Sequence, residues 1–222
     1  MSKDKLKKII VLLDQAHIEI TGSYKEYAVL NRDNHFTAIR KSKQDPSLIR
    51  PDILFQCLRV LQESPLNRSG NLKVIIRTKQ NKLIEVSNQL RVPHSFDKFS
   101  KLMVKLHEKL RINAKDKNKS QQRKLLKIVK NQVQLILPAG VKKIGFSHKA
   151  NAIVSAESLI PKDDSLVVVI GTMAHGSVTE SCDFLDEAVS ISSYPLSGAL
   201  ACAELCDAAV KVWDIENPYL NE

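Results

Sequence analysis

The chain has 222 residues, 43% apolar and 26% charged, with seven glycines and eight prolines, which excludes a mainly disordered, collagenous or low-complexity protein. No apolar run reaches the roughly 18 residues of a membrane-spanning helix, and Ile9–Leu13 is too short for a signal-peptide core. The net charge of +10 is uneven: residues 1–97 carry +7, 98–130 carry +10, and 131–222 carry −7.

In chain order, strand-like and helix-like segments alternate, which points to an α/β architecture. Lys8–Asp14 suits a buried strand, and Tyr24–Asn31 a more exposed one. Arg50–Glu63 reads as a helix with Pro51 in its first turn, where a missing N–H costs nothing. Ile53, Cys57 and Val60 share one of its faces, with Leu54, Leu58 and Leu61 beside them. Leu72–Thr78 and Leu83–Val86 flank Lys79–Lys82 as a β-hairpin. Phe96–Leu110 is an amphipathic helix: Lys98, Lys101, Lys105 and Lys109 line one side, and Phe99, Leu102, Met103, Leu106 and Leu110 the other. After a polar loop at Asn113–Gln122, Leu125–Val129 is apolar again. Lys142–Ser147, Ser165–Ile170 and Ala188–Ile191 follow as strands, the second continuous enough for a parallel sheet covered on both faces. The last helix, about Ser197–Ile215, has a stripe of Leu196, Leu200, Ala203, Cys206, Val210 and Trp213 that suits core or a subunit interface. The segments from about Leu125 onward read as one compact unit, with 31–124 inserted or appended around it.

The charge makes a polyanion the natural partner of the first two-thirds, although surplus lysine also serves solubility and Lys115–Lys119 reads equally as a solvated loop. Cys57, Cys182, Cys202 and Cys206 have no paired CxxC spacing, which points to reduced, intracellular thiols rather than a zinc knuckle. Histidine spacing suggests no metal site.

Four stretches carry candidate chemistry. Leu166–Ile170 runs straight into Gly171-Thr-Met-Ala-His-Gly176, where small residues beyond a parallel strand allow a ligand close to the backbone. It matches neither a Walker loop nor a dinucleotide or nucleophile-elbow motif, and reads equally as a tight turn. Ile191–Leu196 leads to a helix N-terminus whose free N–H groups suit an acceptor, with Ser197 as a candidate cap. Arg50 and Asp52 open a helix, where Asp52 also favours the helix dipole. Arg91, His94 and Lys98 crowd one strand-to-helix corner and favour nucleic-acid contact.

Together, RPDILFQCLRVLQESPLNRSGNL (50–72), RVPHSFDKFSKLMVKL (91–106), LLKIVKN (125–131), GTMAHG (171–176) and ISSYPLSGALAC (191–202) resemble the small-subunit ribosomal RNA pseudouridine N1-specific methyltransferases of the SPOUT, or α/β-knot, superfamily. The resemblance runs from about Ile9 to Ile215. It implies one SPOUT-type α/β domain over 1–222, a mostly parallel sheet flanked by helices with a β-hairpin and helix extension. Within it, 31–124 would contain the basic RNA-binding extension, and 125–222 the deep trefoil knot that binds S-adenosylmethionine. Gly171 and Gly176 would contact the cofactor from one loop, and Ile191, Ser192, Ser193, Tyr194, Pro195 and Leu196 from the other. Ala150 joins them by counting back from Gly171. Arg50 would stabilise the reacting base and Asp52 would orient Arg50. Arg50, Arg91, His94 and Lys98 would contact RNA.

Arginine is usual in the family at 94 and 98; histidine is only partly charged near neutrality, and lysine makes no bidentate fork. Ser193 stands where asparagine is common. The implied partners are small-subunit rRNA, a second copy of the chain and preribosomal proteins, with neither membrane nor metal. The implied place is the nucleolus, or the cytoplasm for an archaeal-type protein. The competing functions are a non-catalytic RNA-binding assembly factor on a knotted dimer, and ribose 2′-O-methylation.

Overall fold

The structure, a computed structural model, describes residues 7–23, 26–114 and 123–215. β1 (Ile9–Ala16) lies between β4 (Leu72–Thr78) and β9 (Leu166–Gly171), parallel to both. β8 (Lys143–Phe146) and β10 (Glu187–Val189) extend this parallel half outward, giving the order β10-β8-β9-β1-β4. On the other side β5 (Leu83–Val86), β7 (Lys124–Val129) and β6 (Arg111–Asn113) continue the same sheet antiparallel. A separate ribbon pairs β2 (Ile20–Ser23) with β3 (Glu26–Val29).

The central strands are apolar at consecutive positions because both faces are covered. From β1, Ile9, Val11 and Leu13 enter one core with α2 (Pro51–Glu63), α4 (Phe96–Lys109) and α8 (Gly198–Val212). Ile10 and Leu12 point the other way, into a core with α5 (Val133–Ile136) and α7 (Val178–Ser181). The same alternation splits Leu166, Val168 and Ile170 from Val167 and Val169 on β9.

Helix ends follow local chemistry. Arg50 is the N-cap of α2, with Pro51 its first helical residue. Leu54, Leu58 and Leu61 are its fully buried stripe, whereas Ile53 and Val60 are half-buried at its margin. Ser95 caps α4 through the Lys98 N–H, and the helix ends where Leu110 turns left-handed at φ 59°. Leu110 is consequently exposed and the apolar stripe stops at Leu106; the four lysines face solvent as expected. In α8 the expected stripe divides: Cys206 and Trp213 are buried, Ala203 and Val210 half-buried, and Leu200 is 45% exposed. The face carrying Ala201, Cys202, Leu205, Ala208 and Ala209 packs inward instead, because small residues let α8 lie close to α2. All four cysteines are buried and unbridged.

Other elements depart from the sequence reading. Leu125–Val129 joins the antiparallel half as β7, paired to β5 and β6. α1 (Arg32–Lys41) has no counterpart in it, because Ile39 is its one buried residue and no apolar period marks it. α3 (Pro65–Arg68) and α6 (Ala156–Leu159) are single turns opened by Ser64 and Ser155 caps. Of the Tyr24–Asn31 strand, Glu26–Val29 is β3, and Tyr24 lies outside the described residues, as does the Lys115–Lys119 run.

Candidate cofactor and RNA site

In a parallel sheet, ligands settle beyond the carboxyl ends of the strands. A cavity of about 400 Å³ lies there, past β8, β9 and β10 and against the first turns of α2 and α8. Phe146, Ser147 and His148 at the end of β8 line it, and three further chain segments approach it. The first is the loop after β9, contributing Gly171, Met173, Ala174 and Gly176. The second runs from Ser190 to Ala201, and the third is the start of α2, with Arg50, Ile53 and Gln56. Gly171, Gly176, Ile191, Ser192, Tyr194, Pro195 and Leu196 therefore line one space although they come from distant parts of the sequence. Ser193 is exposed and Ala150 sits in the turn after β8, and neither is among the lining residues.

The walls require small residues. Gly176 has φ +110°, a conformation that side-chain-bearing residues rarely adopt. At Gly198, the first residue of α8, an added Cβ would come within 3.0 Å of the Cys57 sulfur and 3.2 Å of the Gly171 carbonyl oxygen. That close approach joins the helix start to the end of β9. Ser197 caps α8 by accepting from the Leu200 N–H at 3.2 Å, and it also lines the cavity. The Ser147 and Ser177 hydroxyls meet at 3.0 Å and tie the end of β8 to the loop. Ser190 Oγ donates to the Ser192 carbonyl, and Ser192 Oγ accepts from the Tyr194 N–H, which folds the second loop on itself.

Arg50 and Asp52 form a fork. Arg50 Nε donates to both carboxylate oxygens at 2.9 and 3.1 Å, and Nη2 donates to Oδ2 at 2.7 Å. This bond raises the Arg50 pKa above its ordinary value, while partial burial opposes the shift. Arg50 lines the cavity and Asp52 does not. Arg91, His94 and Lys98 are exposed at the corner leading into α4 and do not line the cavity. Phe55 fixes that corner against α2, with ring centroids 5.8 Å from Phe96 and 5.1 Å from Phe99.

The structure also shows a buried network that the sequence reading missed. Asp14, fully buried at the end of β1, accepts from Arg77 Nε of β4 and from Ser181 Oγ at 2.6 Å. Arg77 Nη2 donates to the Ser181 carbonyl at 2.9 Å. The Asp14 carbonyl accepts from both the N–H and the hydroxyl of Thr172, at 2.8 and 2.7 Å. Thr172 and Ser181 are the two ends of the loop and helix that wall the cavity, so Asp14 and Arg77 hold both. Cys182 is buried beside the pair. Burial first, then the Asp14 charge, pushes its thiol up to about 11, against the pull of Arg77. Burial also works against the Arg77 charge, but its bonds to Asp14 and Cys182 and their charges outweigh it and raise its pKa. Opposite charges at the ends of two apolar strands were visible in the sequence, but only the strand order makes them neighbours. Ser147 and His148 were likewise missed as lining residues; their place just past a predicted parallel strand was the available signal.

Among the described residues no cluster of His, Cys, Asp or Glu is arranged to hold a metal, and no helix is long and apolar enough to cross a membrane.

Comparison with known proteins agrees with this geometry. The chain is 43% identical over 209 residues to the ribosomal RNA small subunit methyltransferase NEP1 of Mus musculus, covering 94% of this chain and 83% of the mouse protein. It is 42% identical over 212 residues to nep-1 of Caenorhabditis elegans (94% and 89%), and 30% identical over 179 residues to Nep1 of Thermococcus sibiricus (77% and 76%). The crystal structure of Archaeoglobus fulgidus Nep1 bound to S-adenosylhomocysteine superposes with a TM-score of 0.75 at 22% identity, covering 92% of this chain and 98% of that one. The likeness bears out the expected SPOUT-type α/β fold. The EMG1/NEP1 methyltransferase family model matches residues 11–210, nearly the whole chain, and the protein belongs to that family.

Proposed function

We propose that the protein methylates small-subunit ribosomal RNA, using S-adenosylmethionine, at N1 of a pseudouridine. The observation that carries this reading is one cavity shared by the Gly-rich loop, the Ile191–Leu196 loop and Arg50. About 400 Å³ falls within the range of small-molecule sites, and Gly176, at positive φ, lines the cavity with no side chain over its backbone. When bound, S-adenosylmethionine supplies an electrophilic methyl group on sulfur.

The chain supplies position and charge. Pseudouridine has a ring N–H where uridine has its glycosidic bond, and loss of that proton leaves negative charge on the ring. Arg50 faces the space where that charge develops, and a fixed cation there lowers the barrier without reorganising. The Asp52 oxygens accept three bonds from the guanidinium and so aim Arg50, and the ring proton is released to solvent. Arg91, His94 and Lys98, exposed on the neighbouring corner, hold the RNA backbone or flanking bases.

A homodimer suits the exposed apolar edge of Tyr194 and Leu200 beside the cavity. A knotted path suits α8, which follows the edge strand β10 yet returns to pack against α2 and β9. Identity is higher to the animal relatives than to the archaeal one, which favours the eukaryotic branch and the nucleolus. To test the activity, small-subunit rRNA is incubated with protein and isotopically methyl-labelled donor, then digested and analysed by mass. The label is expected on the base of a pseudouridine. Label on ribose would assign 2′-O-methylation, and bound but unlabelled RNA a non-catalytic assembly role.

A further inference from the structure

A second cavity, of about 440 Å³, opens beyond the carboxyl ends of β1 and β4. It shares Met173, Ala174, Gly176 and Ser177 with the first, so one loop separates the two. Leu48, two residues before Arg50, forms part of its wall. We infer that this second cavity is an RNA subsite, which takes one nucleotide flanking the nucleotide that is methylated. The inference rests on the reading of the protein as an RNA methyltransferase and adds to it a second point of substrate recognition.

The lining fits a nucleotide better than a free anion or an apolar ligand. His17 is buried, its side chain 8% exposed, and its Nε2 makes no hydrogen bond among the described residues. The nearest carboxylate, that of Glu19, is 3.6 Å away, beyond hydrogen-bonding distance. Nε2 is itself enclosed, so His17 contributes wall to the cavity, while Glu180 and Lys79 supply its polar groups. Burial lowers the His17 pKa, opposed by Glu19 and assisted by Lys79, which disfavours an imidazolium charge in this wall. Leu48, 42% exposed, and Met173 supply apolar surface for a ring. Lys79 is exposed, and its ammonium has no ion-pair partner among the described residues, which suits a phosphate. Glu180 also lines the cavity, and Asp45 lies near enough to His175 to feel its charge. These carboxylates disfavour an isolated phosphate, while Glu180 matches the N–H groups of a base. The reacting nucleotide belongs with Arg50 in the first cavity, which leaves the second to a neighbour.

The test uses the full chain and a pseudouridine-containing hairpin of small-subunit rRNA. Abasic residues replace each nucleotide flanking the pseudouridine in turn, and binding is measured for the parent, Leu48→Ala and Lys79→Met. Both variants alter exposed side chains, and unchanged S-adenosylhomocysteine binding shows the first cavity intact. One flanking abasic residue is expected to weaken parent binding about tenfold, the scale of one lost polar contact to a charged or buried group. The same change should cost Leu48→Ala little more, because its contact is already lost. Lys79→Met should flatten the dependence of log affinity on log salt by about 0.7, one single-strand phosphate contact. Variants that bind every hairpin as the parent does, or losses that add independently at every position, overturn the subsite while leaving the methyltransferase reading intact. A parent protein that binds no such hairpin overturns the RNA reading and the subsite together.

Discussion

Arg50→Ala lowers the rate of methyl transfer about 10²- to 10³-fold, the usual cost of removing one preorganised group aimed at developing charge. Affinity for S-adenosylhomocysteine changes little, because glycine backbone and the Ile191–Leu196 loop form most of that wall. Arg50→Lys does not restore the rate. An ammonium cannot reproduce the two-pronged bond to Asp52, so the charge is no longer aimed. Asp52→Asn has an intermediate effect, about tenfold, since an amide oxygen still accepts one of the guanidinium's bonds. Single-turnover rates with saturating donor separate these effects from RNA binding. A parental rate in Arg50→Ala would remove Arg50 from the chemistry.

Breaking the Asp14–Arg77 pair has the largest expected effect on stability. Arg77→Met leaves the Asp14 carboxylate buried beside Cys182 with only the Ser181 hydroxyl and the thiol as donors. Loss of one partner of a buried pair costs about 3–5 kcal/mol, and in a chain of this size each kcal/mol lowers Tm by about 2–4 °C. The expected fall is therefore of order 6–20 °C. The double variant Asp14→Leu/Arg77→Met recovers part of it, because no unpaired charge then remains. Donor affinity does not recover with it, since the anchor of Ser181 to β4 is gone in both. Thermal unfolding of the two proteins, beside calorimetric titration with S-adenosylhomocysteine, reads both quantities. An Arg77→Met protein melting within about 2 °C of the parent, a shift below 1 kcal/mol on that scale, would show that the pair holds nothing.

Much of the site was legible because its residues are clustered in sequence. GTMAHG and ISSYPLS each follow a run of strand residues, and the parallel-sheet rule places both beyond strand ends. The Arg50–Asp52 pair was legible for the same reason, being two residues apart at a helix start marked by proline. Residues that depend on strand order were not legible. Asp14 and Arg77 are 63 positions apart and become partners only because β1 and β4 are adjacent. His17 and Lys79 reach the second cavity by the same adjacency. The polar helix α1 and the three-residue strand β6 escaped because each buries one apolar side chain, too few to show a period. The place of Leu125–Val129 in the antiparallel half was hidden because an amphipathic strand at a sheet margin looks alike in either half.

Titration with the demethylated donor tests most directly whether the first cavity is the methyl-donor site. Isothermal titration of the parent with S-adenosylhomocysteine should give one bound molecule per chain. Ala199→Trp, which puts an indole into that cavity from the first turn of α8, should abolish the binding while the protein stays folded. No binding to the parent, or equal binding to a folded Ala199→Trp protein, would contradict the assignment.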